Sequence, residues 1–284
     1  MRERPFATAS ATLNIAVGPP NGPPLILLHG VTRRWQDFRV LVPSLAFDYH
    51  LHALDFRGHG RSGRTPGSYR VVDYVPDVLT YLRQAIEAPA VLLGHSLGAM
   101  VAAAVAAEAP ERVRALILED PTFEMTGRRI GETSFPDLFR AFLPHAGSAR
   151  PVGEIAAELA EAPIHVPGRS APARLGELRD AVNLRASAAG LKRLDPDVLT
   201  TPLAGRWLEG FDVPATLARV SCPTLLLQGD SDAGGALPDE YAAELIALLR
   251  DGALVKLPGI GHNIHGTQPD GMLRFVLPFL DALD

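Results

Sequence analysis

Ala90-Val91-Leu92-Leu93-Gly94-His95-Ser96-Leu97-Gly98-Ala99-Met100-Val101-Ala102-Ala103-Ala104 is the stretch that decides the fold. Four apolar residues run into a serine flanked by glycines, and a series of small residues follows. The pattern predicts a buried strand, a very tight turn and a helix, with Ser96 at the apex. The glycines at 94 and 98 let strand and helix approach closely, while the apex residue takes strained backbone angles. Its hydroxyl then stands at a helix N-terminus, where backbone N–H groups can receive a developing oxyanion.

Reading outward, the strand–helix alternation continues on both sides. Pro24-Leu25-Ile26-Leu27-Leu28 is an apolar run closed by His29-Gly30, as expected of a strand buried on both faces. A second strand, His50 to Asp55, ends in the turn-rich Arg57-Gly58-His59-Gly60-Arg61-Ser62-Gly63. A helix is expected over 72–86, and Arg114 to Glu119 forms the strand after the serine helix, stopped by Asp120-Pro121. Toward the C-terminus come a strand ending at Gly229, a helix over 239–249, a strand over 253–257 and a last helix over 270–283. Such alternation predicts an α/β protein with a mostly parallel sheet covered by helices on both faces.

The rhythm breaks between 122 and 212, where no strand is expected. Helical pieces at 135–143, 152–162, 175–194 and near Trp207 are punctuated by Pro144, Pro163, Pro167-Gly168 and Pro172. This reads as a helical cap over the C-terminal edge of the sheet. The expected division is a core of 1–121 and 213–284 with a cap of 122–212.

Bulk properties narrow the function. A chain of 284 residues, 47% hydrophobic, can bury the core of one large α/β domain with a modest insertion. Its net charge of −5 favours neither nucleic acid nor an anionic membrane. The N-terminal residues form no apolar targeting segment and no stretch reaches transmembrane length, so a cytoplasmic location is expected. The single cysteine, Cys222, precedes Pro223 and reads as a small core residue.

Serine hydroxyls need a base, and an oriented imidazole serves best. Of nine histidines, His262 follows a strand through Gly259-Ile260-Gly261, a turn able to project its ring over the strand ends. His265 reads as a turn or packing residue, and His29 as one that holds its own loop. The spacing of the remaining histidines does not argue for a metal site, and no cofactor is expected. The base in turn needs an acid. Asp232, in Gly229-Asp230-Ser231-Asp232, is favoured by the chain order Ser…Asp…His. Glu119 or Asp120, after the preceding strand, and Asp230 are the alternatives. The oxyanion donors are expected from the backbone N–H groups of Leu97 and of Val31 in His29-Gly30-Val31.

Taken together, His29-Gly30, Asp55-Phe56-Arg57-Gly58-His59-Gly60-Arg61-Ser62, Gly94-His95-Ser96-Leu97-Gly98, Gly229-Asp230-Ser231-Asp232 and Gly261-His262 make the chain resemble the α/β-hydrolase superfamily over nearly its whole length. The resemblance implies an eight-stranded sheet with a helical cap after the sixth strand. It also implies a nucleophile at Ser96, a base at His262 and an acid at Asp232. Some capped lactonases of the superfamily instead place the acid after the strand that follows the elbow, near Glu119 here. A serine at the elbow argues against the haloalkane dehalogenase and epoxide hydrolase branches, which need an aspartate there.

Of the apolar cap residues Phe123, Met125, Phe135, Leu138, Phe139, Phe142, Leu143, Trp207, Leu208 and Phe211, about two-thirds are expected to pack the cap on the core and the remainder to line an apolar pocket. The expected substrate is a neutral, hydrophobic ester or lactone, processed by a monomer or homodimer. Two other readings use the same fold: a C–C hydrolase for β-diketone-like substrates, and a small-molecule receptor with vestigial turnover.

Overall fold

The computed structural model describes residues 1–283. Eight strands form one sheet: β1 (Arg2–Ala7), β2 (Thr12–Val17), β3 (Pro24–Leu28), β4 (His50–Asp55), β5 (Ala90–His95), β6 (Val113–Glu119), β9 (Thr224–Gly229) and β10 (Gly252–Leu257). Two short strands of two residues each, β7 (Pro163–Ile164) and β8 (Ala173–Arg174), pair separately. Order across the large sheet is β1-β2-β4-β3-β5-β6-β9-β10. The first two strands join antiparallel and the rest run parallel.

The near-continuous apolar runs of β3, β5 and β9 follow from burial on both faces. Alternate residues feed two cores. Ile26, Leu28 and Leu92 pack with α1 (Val71–Ala85) and α2 (Leu97–Glu108) on one face. Leu25, Leu27, Val91 and Leu93 pack on the other with residues such as Met272 and Val276. Residues 97–107 of α2 are all buried, and their small side chains let this helix lie close to the sheet. β1 and β2 are strands that the sequence pattern did not reveal. β1 carries Arg2, Glu3 and Arg4 on an exposed edge, so it lacks the apolar signature of its neighbours.

β3 has β4 on one side and β5 on the other, so the chain runs outward in opposite directions from this point. Such a reversal opens a crevice at the carboxyl ends of the strands. Leu28 is in register with Gly94, His95 with Glu119, and Gly229 with Leu257. The loops bearing the expected site residues therefore all leave from one edge.

Between β6 and β9 the chain forms α3 (Phe135–Phe142), α4 (Val152–Glu161), the β7–β8 pair, a short helix Leu175–Leu178, α5 (Ala181–Leu191) and α6 (Asp197–Leu203). Two details differ from the sequence reading. The β7–β8 pair occurs where no strand was expected, and the expected helix over 175–194 is broken. Arg179 is extended (φ −137°, ψ 135°), and Asp180 restarts the helix by accepting the Asn183 N–H as an N-cap. The C-terminal part of α5 rests on the β3 loop: a Cβ on Gly190 would lie 2.1 Å from the Thr32 carbonyl oxygen. No helix among the described residues is long and apolar enough to cross a membrane.

Candidate active site

Ser96 sits at the junction of β5 and α2 with φ 53° and ψ −113°, outside the ordinary regions for an L-residue. The surroundings enforce this. Its N–H donates to the Glu119 carbonyl, and a Cβ on Gly98 would come within 1.9 Å of the Leu28 carbonyl oxygen. Leu97 heads α2. Neither its N–H nor that of Val31 meets an acceptor among the described residues. The β3 loop comes close to the elbow: a Cβ built on Gly30 would lie 3.3 Å from the Ser96 Cβ and 2.7 Å from His95 Nδ1.

His95 fastens the elbow to the loop that carries the expected base. Its Nε2–H donates to the His262 carbonyl at 3.0 Å, and the two ring centroids are 4.7 Å apart. Burial pushes the His95 imidazole down to about 3, so it stays neutral.

The acid is where the structure departs from the favoured reading. His262 Nδ1–H donates to Asp120 Oδ2 at 2.7 Å. Asp120 is fully buried, and it also accepts the Gly229 N–H at 2.9 Å and the Ala236 N–H at 2.7 Å. Its φ of 42° turns the chain sharply at the end of β6. Asp232 is not brought to His262. It is exposed in a 3₁₀ turn, Ser231–Ala233, with its own N–H bound to Asp230 Oδ1. The reason is local: the Gly235 N–H returns to the Asp230 carbonyl at 2.7 Å, which folds the loop and leaves Asp232 at its outer tip. Asp230 is spent on the Asp232 and Gly259 N–H groups. The loop after β9 thus serves the site through its backbone, with Ala236 on Asp120 and the Gly234 carbonyl accepting the His262 N–H.

Glu119, the other alternative, belongs to a second pair. Glu119 Oε2 lies 2.6 Å from His265 Nδ1, and Glu119 Oε1 accepts the His265 N–H at 2.9 Å. On the other side His265 Nε2 is 3.3 Å from Asp37, which in turn is 3.3 Å from Arg33. Burial works against charge on His265, but Glu119 and Asp37 outweigh it and hold the imidazolium up at about 10. For Asp37, burial pushes the carboxyl up, yet Arg33 and His265 bring it well below its usual range. The consecutive acids Glu119 and Asp120 therefore address His265 and His262, three residues apart.

His29 holds its loop as expected: Nδ1–H donates to the Gly30 carbonyl at 2.8 Å and Nε2 accepts the Phe56 N–H at 3.1 Å. Cys222 is half-buried, and burial raises its thiol to about 11, which keeps it protonated. Above the site, Phe135 of α3 meets His262 edge-on at 5.7 Å between centroids. It stacks on Phe139, which meets Trp207 in turn. Arg128, Arg129 and Arg140, cations near the same region, pair with Glu124, Glu132 and Asp137.

A family model described as alpha/beta hydrolase fold matches residues 23–269. The chain belongs to this family. A 2-(acetamidomethylene)succinate hydrolase of Mesorhizobium japonicum is 29% identical over 271 residues, covering 92% of this chain and 89% of that one. A magnesium-chelatase 30 kDa subunit of Rhodobacter capsulatus is 28% identical over 282 residues, covering 94% and 90%. Among solved structures, an E-2-(acetamidomethylene)succinate hydrolase superposes with a TM-score of 0.75 at 23% identity, covering 99% of each chain. Relatives with different names at nearly equal identity mean that the site, not the likeness, has to carry the functional argument.

Proposed function

We propose that this chain is a serine hydrolase that cleaves a small carboxylic ester or lactone through an acyl-enzyme. The observation that carries the reading is the 2.7 Å contact between His262 Nδ1 and the buried Asp120 carboxylate, on a loop tied by His95 to the Ser96 elbow. A histidine that donates through Nδ1 presents Nε2 as the base, as nucleophile activation requires. Asp120 is the acid of this triad. It fixes the tautomer and offsets the charge that develops on the ring.

In the first half-reaction Ser96 Oγ attacks the acyl carbon as His262 Nε2 takes its proton. The Leu97 and Val31 N–H groups hold the oxyanion; one such donor contributes about 3–4 kcal/mol to the transition state in other serine hydrolases. Collapse expels the alcohol, protonated by His262. In the second half, His262 deprotonates a water that attacks the ester of Ser96, which releases the acid and restores the serine. The segment 122–212 acts as the cap, with the partly exposed Phe135 offering apolar surface to the substrate and the buried Phe139 and Trp207 backing it. The relative named as a hydrolase supports the reaction class.

The test is a p-nitrophenyl ester series from acetate to octanoate with wild type and Ser96→Ala. Burst release of p-nitrophenol, abolished in Ser96→Ala, is the expected result. Equal inertness of both proteins across the series, with stoichiometric phosphonate labelling absent, would overturn the reading.

A further inference from the structure

The segment 122–212 and its flanks are rich in arginine, and nearly every guanidinium there is accounted for. Arg128, Arg129, Arg140, Arg150 and Arg174 are paired with carboxylates. Arg169, Arg185, Arg193 and Arg206 are exposed, where water solvates them. Arg179 differs from both groups. It is only partly accessible and, among the described residues, forms neither a salt bridge nor a side-chain hydrogen bond.

Its setting follows from the break between the Leu175–Leu178 helix and α5. The guanidinium lies over the buried Phe142 ring, 5.8 Å from the centroid. The charge is within cation–π range of that ring, and the N–H groups of the fork meet no acceptor among the described residues. Burial, helped by the like charge of Arg33, lowers its pKa to about 10.

Both of these neighbours of Arg179 also border the proposed reaction centre. Phe142 ends α3, whose first residue, Phe135, meets His262. Arg33 stands three residues beyond Gly30, which approaches Ser96, and its N–H donates to the Gly30 carbonyl. Nearby acids are already committed. Asp180 accepts from the Asn183 backbone and side chain, and the chain Arg33–Asp37–His265–Glu119 carries two charges of each sign. An arginine held partly out of water without a partner is unfavourable, and a ligand anion would offset that cost.

We propose that Arg179 is the anchor for a carboxylate carried by the substrate, so that the preferred ester is acidic at one end and apolar along its body. The assignment deepens the serine hydrolase reading and rests on it for the position of the scissile bond. It replaces the neutral substrate expected from the sequence.

The probes are mono-p-nitrophenyl succinate and its methyl ester, which share acyl chain and leaving group and differ by one charge. Wild type should favour the acid by about 10- to 100-fold in kcat/KM, mostly through KM, the range expected of a charge-assisted bidentate contact. Arg179→Gln should bring that ratio close to one, and Arg179→Lys should keep part of it. An unchanged ratio in Arg179→Gln, or no charge preference in wild type, overturns the anchor; the wild-type comparison holds even where the variant fails to fold. Calorimetric titration of Ser96→Ala with the acid separates the two readings. Binding that Arg179→Gln abolishes, without turnover by wild type, overturns the hydrolase reading alone. Turnover without charge preference overturns the anchor alone.

Discussion

His262 Nδ1 and Asp120 Oδ2 lie 2.7 Å apart, although 142 residues separate them in the chain. Two backbone N–H groups from the loop around β9 hold the same carboxylate. The loop that the chain order singles out thus positions the Asp120 carboxylate through its backbone, while Asp120 itself comes from the end of β6.

That arrangement sets the first prediction. Asp120→Asn should lower kcat for p-nitrophenyl butyrate by about 10³- to 10⁴-fold, because the amide no longer stabilises the Nδ1–H tautomer or the imidazolium. Asp232→Asn should stay within about twofold of wild type, since the exposed side chain faces solvent. Steady-state kinetics on both, with circular dichroism for folding, decides the matter. The reverse ranking would return the role to Asp232.

The His265 pair predicts a pH dependence of stability. His265 titrates at about 10 in the fold against an ordinary 6.5, so the folded chain binds an extra proton between those values. Its contribution is complete below pH 6.5 and is lost as pH rises toward 10, with an upper bound of about 5 kcal/mol. Urea unfolding at pH 6 and pH 9.5 should show the decline. His265→Gln should flatten that slope and lower stability at pH 6 by about 3–5 kcal/mol, as a broken buried ion pair does. A wild-type stability that is level across this window would contradict the charged state of His265.

Phe135 gives a third prediction. Its ring edge meets His262 at 5.7 Å while the residue stays partly exposed, which places it beside the proposed base. Phe135→Ala should raise KM for p-nitrophenyl butyrate several-fold and change kcat less, reflecting lost apolar contact of about 1 kcal/mol from a ring that is only partly buried. A loss confined to kcat would instead make the ring a support for His262.

The elbow was legible because it is local: strand, glycine-flanked serine and small-residue helix occupy one stretch around Ser96, and each part constrains the next. The parallel strands were equally plain, since burial on both faces writes an apolar run. β1 was not, because its exposed edge accepts Arg2, Glu3 and Arg4 without penalty. The carboxylate that meets His262 was the hardest to choose. Asp120, Asp230 and Asp232 all follow buried strands, and only the path of the 230–236 loop, closed by the Gly235 N–H on the Asp230 carbonyl, decides which one meets His262. Arg179 was hidden for a related reason. Its distinction is the absence of a partner among the described residues, and pairing is a property of the assembled insertion.

The last prediction concerns Gly30. Alanine there would place a Cβ 2.7 Å from His95 Nδ1 and 3.3 Å from the Ser96 Cβ. His95 is the link between the elbow and the His262 carbonyl, and it has no room to retreat, being 2% exposed. The β3 loop must therefore move away from Ser96 and take the Val31 N–H with it. Displacement of about 1 Å at such a donor is expected to lower kcat by about 10²-fold. Binding of a substrate analogue at a distance from the oxyanion should change far less. Gly30→Ala is thus expected to depress kcat with KM nearly constant, and to slow phosphonate labelling of Ser96 in parallel. If labelling and kcat both stay at wild-type levels in a folded Gly30→Ala protein, the β3 loop does not supply the oxyanion donor.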